Sequence, residues 1–321
     1  MKSFVRLLWL VVIASIPIHR TSSAQDQNLE WKGLLGGVIA NAEAWERFDL
    51  LMHIERTDSP PNGPTIVMKT NYRLAMDNLE KKCLAIEERI QDSDGERKLY
   101  SLKGCMSAGK GKTIEVTFPN DGRKADKDLV ESLADMEMIN PAAIGLDRFP
   151  WKFYRRGMHG DWNVLKNSIN VGSAQLKHLG DQAMIRKTSP IVHSGPANSL
   201  PVVRRSWKVD TSSLTVKEIN TALGLPDGTE KQVFLQDISW KEMNGCYVPV
   251  EILHESRESY QPESDAQPSS YFATTFASLH WFSLNEPLKE SLLDPKLLES
   301  WDSMRSLVDP VKTKADTLIP K

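Results

Sequence analysis

The sequence predicts an α+β fold that is mainly antiparallel β. Three observations lead there. Trp31 to Arg47 carries Leu34, Leu35, Val38, Ile39, Ala42 and Trp45 at helical spacing. From Phe48 the period changes to two, with Phe48, Leu50, Met52 and Ile54 on one side and Asp49, His53 and Glu55 on the other. Late in the chain Asn244-Gly245 stands between two alternating runs, which is the strongest short-range signal of a β-hairpin. One helix followed by a run of short alternating segments, without a helix after each strand, gives an antiparallel meander.

The elements follow in order. Ser59-Pro-Pro-Asn-Gly-Pro64 is a loop, and Ile66 to Met76 resumes extended structure with Tyr72, Leu74 and Met76 on one face. Asp77-Asn78 is a turn, after which Leu84 and Ile86 alternate towards Arg89. Lys98 to Leu102 and Thr113 to Phe118 are two further strands, the second presenting Ile114, Val116 and Phe118. Asp126 to Met138 places Leu129, Val130, Leu133 and Met136 at helical spacing, and Asn140-Pro141 ends that predicted helix. Ser189 to Pro201 holds three prolines and reads as a loop. Phe234, Ile238 and Trp240 alternate into the Asn244-Gly245 turn, and Tyr247 to Leu253 returns. Pro249 lacks an N–H for the ladder, so an edge or bulge is expected there. Phe272 to Phe282 is a last strand, followed by a helical piece near 288–307 and a polar tail at 311–321.

The N-terminus predicts export. Lys2 and Arg6 precede an apolar run from Leu7 to Ile18, and Ser22-Ser23-Ala24 supplies small residues for cleavage, so the mature chain starts at Gln25. The run falls short of the about 20 apolar residues that a span requires. No later segment approaches that length, so no transmembrane segment is expected after signal removal. The chain has 40 Lys+Arg against 42 Asp+Glu. Losing Lys2, Arg6 and Arg20 with the signal makes the mature protein more acidic, and no nucleic-acid partner is expected. Of the 3 cysteines, at least one is unpaired; Cys83 and Cys105 lie on neighbouring strands where a bridge could form. The absence of an Asn-x-Ser/Thr site fits a bacterial envelope better than eukaryotic secretion.

Two motifs come close to known chemistry and miss it. Gly104-Cys-Met-Ser-Ala-Gly109-Lys110 resembles a phosphate-binding loop, but Gly111 stands where Ser or Thr must hold Mg²⁺, and a strand follows. His254-Glu255-Ser-Arg-Glu258 offers Glu258 where a zinc protease needs its second histidine, and reads as a solvated strand end. No catalytic residue, metal ligand set or cofactor is expected. Two softer features remain. Phe48, Leu50, Met52, Ile54, Tyr72, Leu74, Met76, Ile114, Val116 and Phe118 read either as ordinary core or as the lining of a cavity for an apolar ligand. Trp151, Tyr154, Arg155, Arg156 and Trp162 read either as a linker whose rings plug the core or as a surface that docks a head group, glycan or partner.

The layout of exported leader, helix, long meander and late hairpin resembles the LolA/LolB-like lipoprotein-carrier superfamily. The likeness in letters lies in Ser239-Trp-Lys-Glu-Met-Asn-Gly245-Cys-Tyr-Val-Pro249, in Leu279-His-Trp-Phe-Ser-Leu-Asn285-Glu and in Leu307-Val-Asp-Pro310, as in uncharacterised planctomycete-type envelope proteins. It implies a strongly curved, half-barrel-like sheet with helices packed on its concave face, over a single domain at 25–310. Residues 140–230 have no counterpart and are expected as a middle insertion. The resemblance implies a cavity for acyl chains, so the expected role is non-enzymatic binding of a lipid or acyl chain in the periplasm or outside the cell. The alternatives are an envelope interaction or sensor protein with a protein partner, and a hydrolase with an unrecognised site.

Overall fold

The computed structural model of the protein describes residues 24–61, 63–80, 82–108, 113–118, 126–130, 141, 144–145, 174–190, 202–225, 228–260 and 269–309. Helix α1 spans Ala24–Glu43, beginning earlier than the apolar spacing alone predicts. Six strands follow: β1 (Arg47–Asp58), β2 (Ile66–Asp77), β3 (Lys82–Ser93), β4 (Glu96–Ala108), β5 (Thr113–Phe118) and β6 (Asp126–Val130). The second half contributes β7 (Ala174–Leu179), β8 (Gln182–Pro190), β9 (Val202–Asp210), β10 (Thr215–Gly224), β11 (Glu230–Met243), β12 (Cys246–Tyr260) and β13 (Ser269–Leu284). Two short 3-10 turns, Glu290–Leu293 and Pro295–Glu299, lead to helix α2 (Trp301–Val308).

All thirteen strands join one antiparallel sheet in the order β6-β5-β4-β3-β2-β1-β13-β12-β11-β10-β9-β8-β7. Each half is a meander, and the two meet where β1 pairs with β13. Within the stretch 140–230, strands β7–β10 continue this same sheet.

The sheet is strongly curved, and α1 packs on its inner face. The helix packs against both β7 and β12, which are five strand positions apart. The 20-residue helix is about 30 Å long, and its two halves make the two contacts: Glu30 meets His178 of β7 at 2.9 Å, and Asn41 meets Tyr247 of β12. The helix thus lies across the strands of the second half of the sheet. Trp31, Leu35, Val38, Ile39 and Ala42 form the buried stripe of α1. Asn41 pins the helix to β12, donating from Nδ2 to the Tyr247 carbonyl (2.8 Å) and accepting from the Tyr247 N–H (2.9 Å). Asn285, at φ 57°, closes the corner after α1 by donating to the Ala44 carbonyl and accepting from the Glu46 N–H.

The other face carries a second core. Leu51, Leu84, Ile86, Leu102, Val116 and Phe118 point outward from the hollow and are covered by Leu292, Leu298, Met304 and Val308. Gly104 makes that cover possible: a Cβ there would lie 2.5 Å from Met304 Cε and 2.6 Å from Leu298 Cδ2. The first glycine of the near-miss phosphate loop therefore serves packing inside β4.

Several expectations need correction. The helix predicted from Asp126 is a strand over Asp126–Val130, paired with β5 from Thr113↔Val130 to Thr117↔Asp126. The apolar spacing fits a helix, but pairing satisfies the edge backbone groups of β5 and overrides that local preference. Residues 131–138 lie outside the described residues. The cysteines are all unbridged and buried. Cys83 is opposite Ser107 and Cys105 opposite Ala85, so the two thiols are diagonal neighbours. Diagonal Cα atoms are about 7–8 Å apart, beyond the about 4.4–6.8 Å that a bridge needs. His254 is not at a solvated strand end: it is 1% exposed, within β12.

The Asn244-Gly245 turn forms as predicted. Both residues have positive φ, 51° and 76°, and Met243 pairs with Cys246 across the two-residue turn. The register shifts between Ser239 and Trp240, so that Trp240 faces Pro249, which places the expected bulge beside the proline. Trp281 then donates from Nε1 to the Pro249 carbonyl at 2.7 Å.

Candidate ligand-binding hollow

The inner face of the sheet, the one on which α1 packs, is built by strand alternation. Phe48, Leu50, Met52 and Ile54 of β1 and Tyr72, Leu74 and Met76 of β2 all lie on it, in register Phe48↔Met76, Leu50↔Leu74 and Met52↔Tyr72. The face continues through Leu279 and Ala277 of β13, Ile252 of β12 and Ile238 of β11. At its base Trp45 meets Phe48 and Trp281 edge-on, and Phe48 and Trp281 are tilted to each other, with ring centroids 5.2–6.5 Å apart. Seven of the ten residues expected to line one cavity are thus brought together, buried against the same core as α1.

The other three are not. Val116 pairs with Gly104, Gly104 with Ile86, Ile86 with Arg73 and Arg73 with Leu51. Cross-strand partners share a face, so this row is the outer one. Val116 and Phe118 belong to the outer core, and Ile114 packs against it. Trp151, Tyr154, Arg155, Arg156 and Trp162 lie outside the described residues.

Polar groups interrupt the inner face on its second half. Gln236, His254 and Thr275 are consecutive across β11, β12 and β13, and are 0%, 1% and 2% exposed. The Phe234 ring meets His254 edge-on at 4.7 Å. Burial, and after it the nearby Arg56 charge, push the His254 imidazole down to about 3, so it is neutral. Lys187 on β8 is buried beside Trp31, 5.5 Å from the ring; burial is the main cause that lowers its pKa, with Arg205 and Lys32 adding repulsion. The sequence signal for this polar row is Gln236, which breaks the apolar file Phe234, Gln236, Ile238.

The outer face carries different chemistry. Asp49 and Arg73 form a buried ion pair at 2.7 Å, and the Arg73 guanidinium lies 3.8 Å from the Phe282 ring centroid. A polar chain runs from His53 to Asn71 (2.7 Å), to Glu88 (2.7 Å) and to the Tyr100 hydroxyl (3.0 Å). A groove of about 240 Å³ is lined by Arg186, Arg204, Arg205, Ser206, Asn220 and Gln232 among others. Leu253, Phe272 and Phe276 are exposed. Among the described residues no group of His, Cys, Asp and Glu is placed to hold a metal ion, and no helix is long and apolar enough to cross a membrane.

Comparison by sequence finds no matching family model and no matching curated protein. Comparison by structure finds similarity to a DUF1329 family protein from Desulfovibrio piger (6% identity, TM-score 0.38, covering 83% of this chain and 98% of that one). It also finds a LolA superfamily protein from Nitrosomonas europaea (9% identity, TM-score 0.36, covering 83% and 97%). A porin-like protein from Bacteroides uniformis is more distant (6% identity, TM-score 0.22, covering 73% and 98%).

Proposed function

We propose that the protein is an exported, non-enzymatic binder of an apolar or lipid-like ligand, a carrier in the bacterial envelope that holds its ligand in the hollow of the sheet. The observation that carries this reading is the inner face itself. It is apolar over β2 and β1 and, in the Ile54 row, on across β13 and β12 to β11; it curls, and among the described residues the helix packed on it is α1. That helix contains Gly33, Gly36 and Gly37, each of which costs a helix interior about 1 kcal/mol relative to Ala. A helix that carries three glycines over a largely apolar face is a cover that a ligand can displace. The mature chain would begin at Gln25, next to the first residue of α1.

Titration with a fluorescent fatty-acid analogue tests the reading. Wild-type protein should take it up saturably. Leu74→Trp, which fills the centre of the inner face, should weaken uptake while the protein stays folded. If the wild type takes up no lipid and Leu74→Trp melts far below it, the face is packed core and the carrier reading fails. The exposed outer-face residues Leu253, Phe272 and Phe276 favour a second reading, an envelope interaction or sensor protein. Under it the wild type takes up no lipid in the same titration.

A further inference from the structure

The inner face of β1, β13, β12 and β11 can be read as rows of cross-strand partners. One row is fully apolar: Ile54, Ala277, Ile252 and Ile238. The next is Arg56, Thr275, His254 and Gln236. Thr221 of β10 stands in the row beyond, opposite Phe234. Gln236 has no exposed surface, yet neither its amide oxygen nor its amide nitrogen has a hydrogen-bond partner among the described residues. The hydroxyls of Thr275 and Thr221, each 2% exposed, are in the same position. Buried polar groups are bonded almost without exception, because burying one without a partner carries a desolvation penalty that nothing offsets. Gln236 and Thr275 stand in one row, two strands or about 10 Å apart and both turned into the hollow, and they call for a common partner.

The chemistry of the row selects that partner. Gln236 presents a donor and an acceptor, and the Thr275 hydroxyl can act as either. The neighbouring His254 is neutral. The charge of Arg56 is already matched by a two-point pair with Asp58, at 2.9 Å and 2.9 Å. A carboxylate can only accept, so it can satisfy the Gln236 amide N–H but leaves the Gln236 carbonyl without a donor. An uncharged head with several hydroxyls both donates and accepts.

We propose that Gln236 and Thr275 form a head-group site for a neutral, hydroxyl-bearing amphiphile of the glycerol or sugar type, whose chain lies along the apolar rows of β1 and β2. The site lies in the same hollow, so this assignment rests on the carrier reading and specifies its ligand.

The test compares three ligands with one acyl chain: monoolein, oleate and methyl oleate, each competing against the fluorescent fatty-acid analogue on the full mature chain. Wild type should bind monoolein about tenfold more tightly than either of the others. Gln236→Leu keeps the bulk and removes the amide; it should lose that tenfold for monoolein and leave methyl oleate unchanged. Its melting temperature should be equal or higher, since an unbonded amide is gone. Thr275→Val supplies the same comparison if Gln236→Leu does not fold. Should Gln236→Leu bind monoolein as wild type does, or should wild type prefer oleate, the head-group site is refuted while the carrier reading stands. Should wild type bind none of the three, both are refuted.

Discussion

Acid should destabilise this protein in part through His254. Its imidazole is held neutral in the folded state with a pKa of about 3, chiefly by burial, whereas in the unfolded chain it titrates near the ordinary value of 6.5. The folded pKa is depressed, so this contribution is complete above pH 6.5 and is lost as pH falls towards 3, where the unfolded state binds a proton that the folded state refuses. Each unit of difference is worth about 1.36 kcal/mol. Between pH 7.5 and pH 5 the loss is therefore about 2 kcal/mol, and the ceiling near pH 3 is about 4–5 kcal/mol. Carboxylates also titrate over this range, so the measurement is a difference. Urea unfolding is followed at pH 7.5 and pH 5 for wild type and for His254→Gln, which remains neutral throughout. Wild type should lose about 2 kcal/mol more than the variant. Parallel losses would mean that His254 reaches water, and would remove the polar row from the interior of the hollow.

Three further outcomes test the packing. Gly33→Ala should stabilise the fold by about 1 kcal/mol in urea unfolding, since a Cβ there meets nothing within 4 Å, whereas Gly37→Ala should give no such gain because its Cβ would sit 2.6 Å from Leu214 Cδ1. Equal gains in the two variants would contradict the seating of α1. Asp49→Ala should cost about 3–5 kcal/mol by thermal melting, because it strands the buried Arg73 charge, and Arg73→Leu added to it should restore part of the loss. Gly245→Val should cost about 1–2 kcal/mol, since a β-branched residue resists the φ of 76° that the turn requires; an unchanged midpoint would overturn the type I′ assignment.

The legible parts of this fold were those where one local signal decides. Alternation alone placed β1 and β2, and Asn244-Gly245 alone placed the β11–β12 turn with its register. What could not be read was phase. Alternation in β5 shows that Ile114, Val116 and Phe118 share a face, but which face depends on the register through β4, β3 and β2, and Gly104 and Arg73 in that row carry no apolar label. A signal existed nonetheless. Leu50-Leu51-Met52 and Leu84-Ala85-Ile86 are continuous apolar runs, which mark strands buried on both sides. The strand at Asp126–Val130 was hidden because its apolar residues also satisfy helical spacing, and only its pairing with β5 distinguishes the two. The polar row was hidden for a different reason: Gln236, His254 and Thr275 are far apart in sequence, and only the sheet register sets them side by side.

Native mass spectrometry of the protein purified from the envelope, without delipidation, tests the central claim most directly. The account predicts a population heavier than the mature chain starting at Gln25 by the mass of a single neutral, hydroxyl-bearing lipid, which a polar organic solvent releases. A spectrum holding only the bare chain, and unchanged after incubation with monoolein, would contradict it.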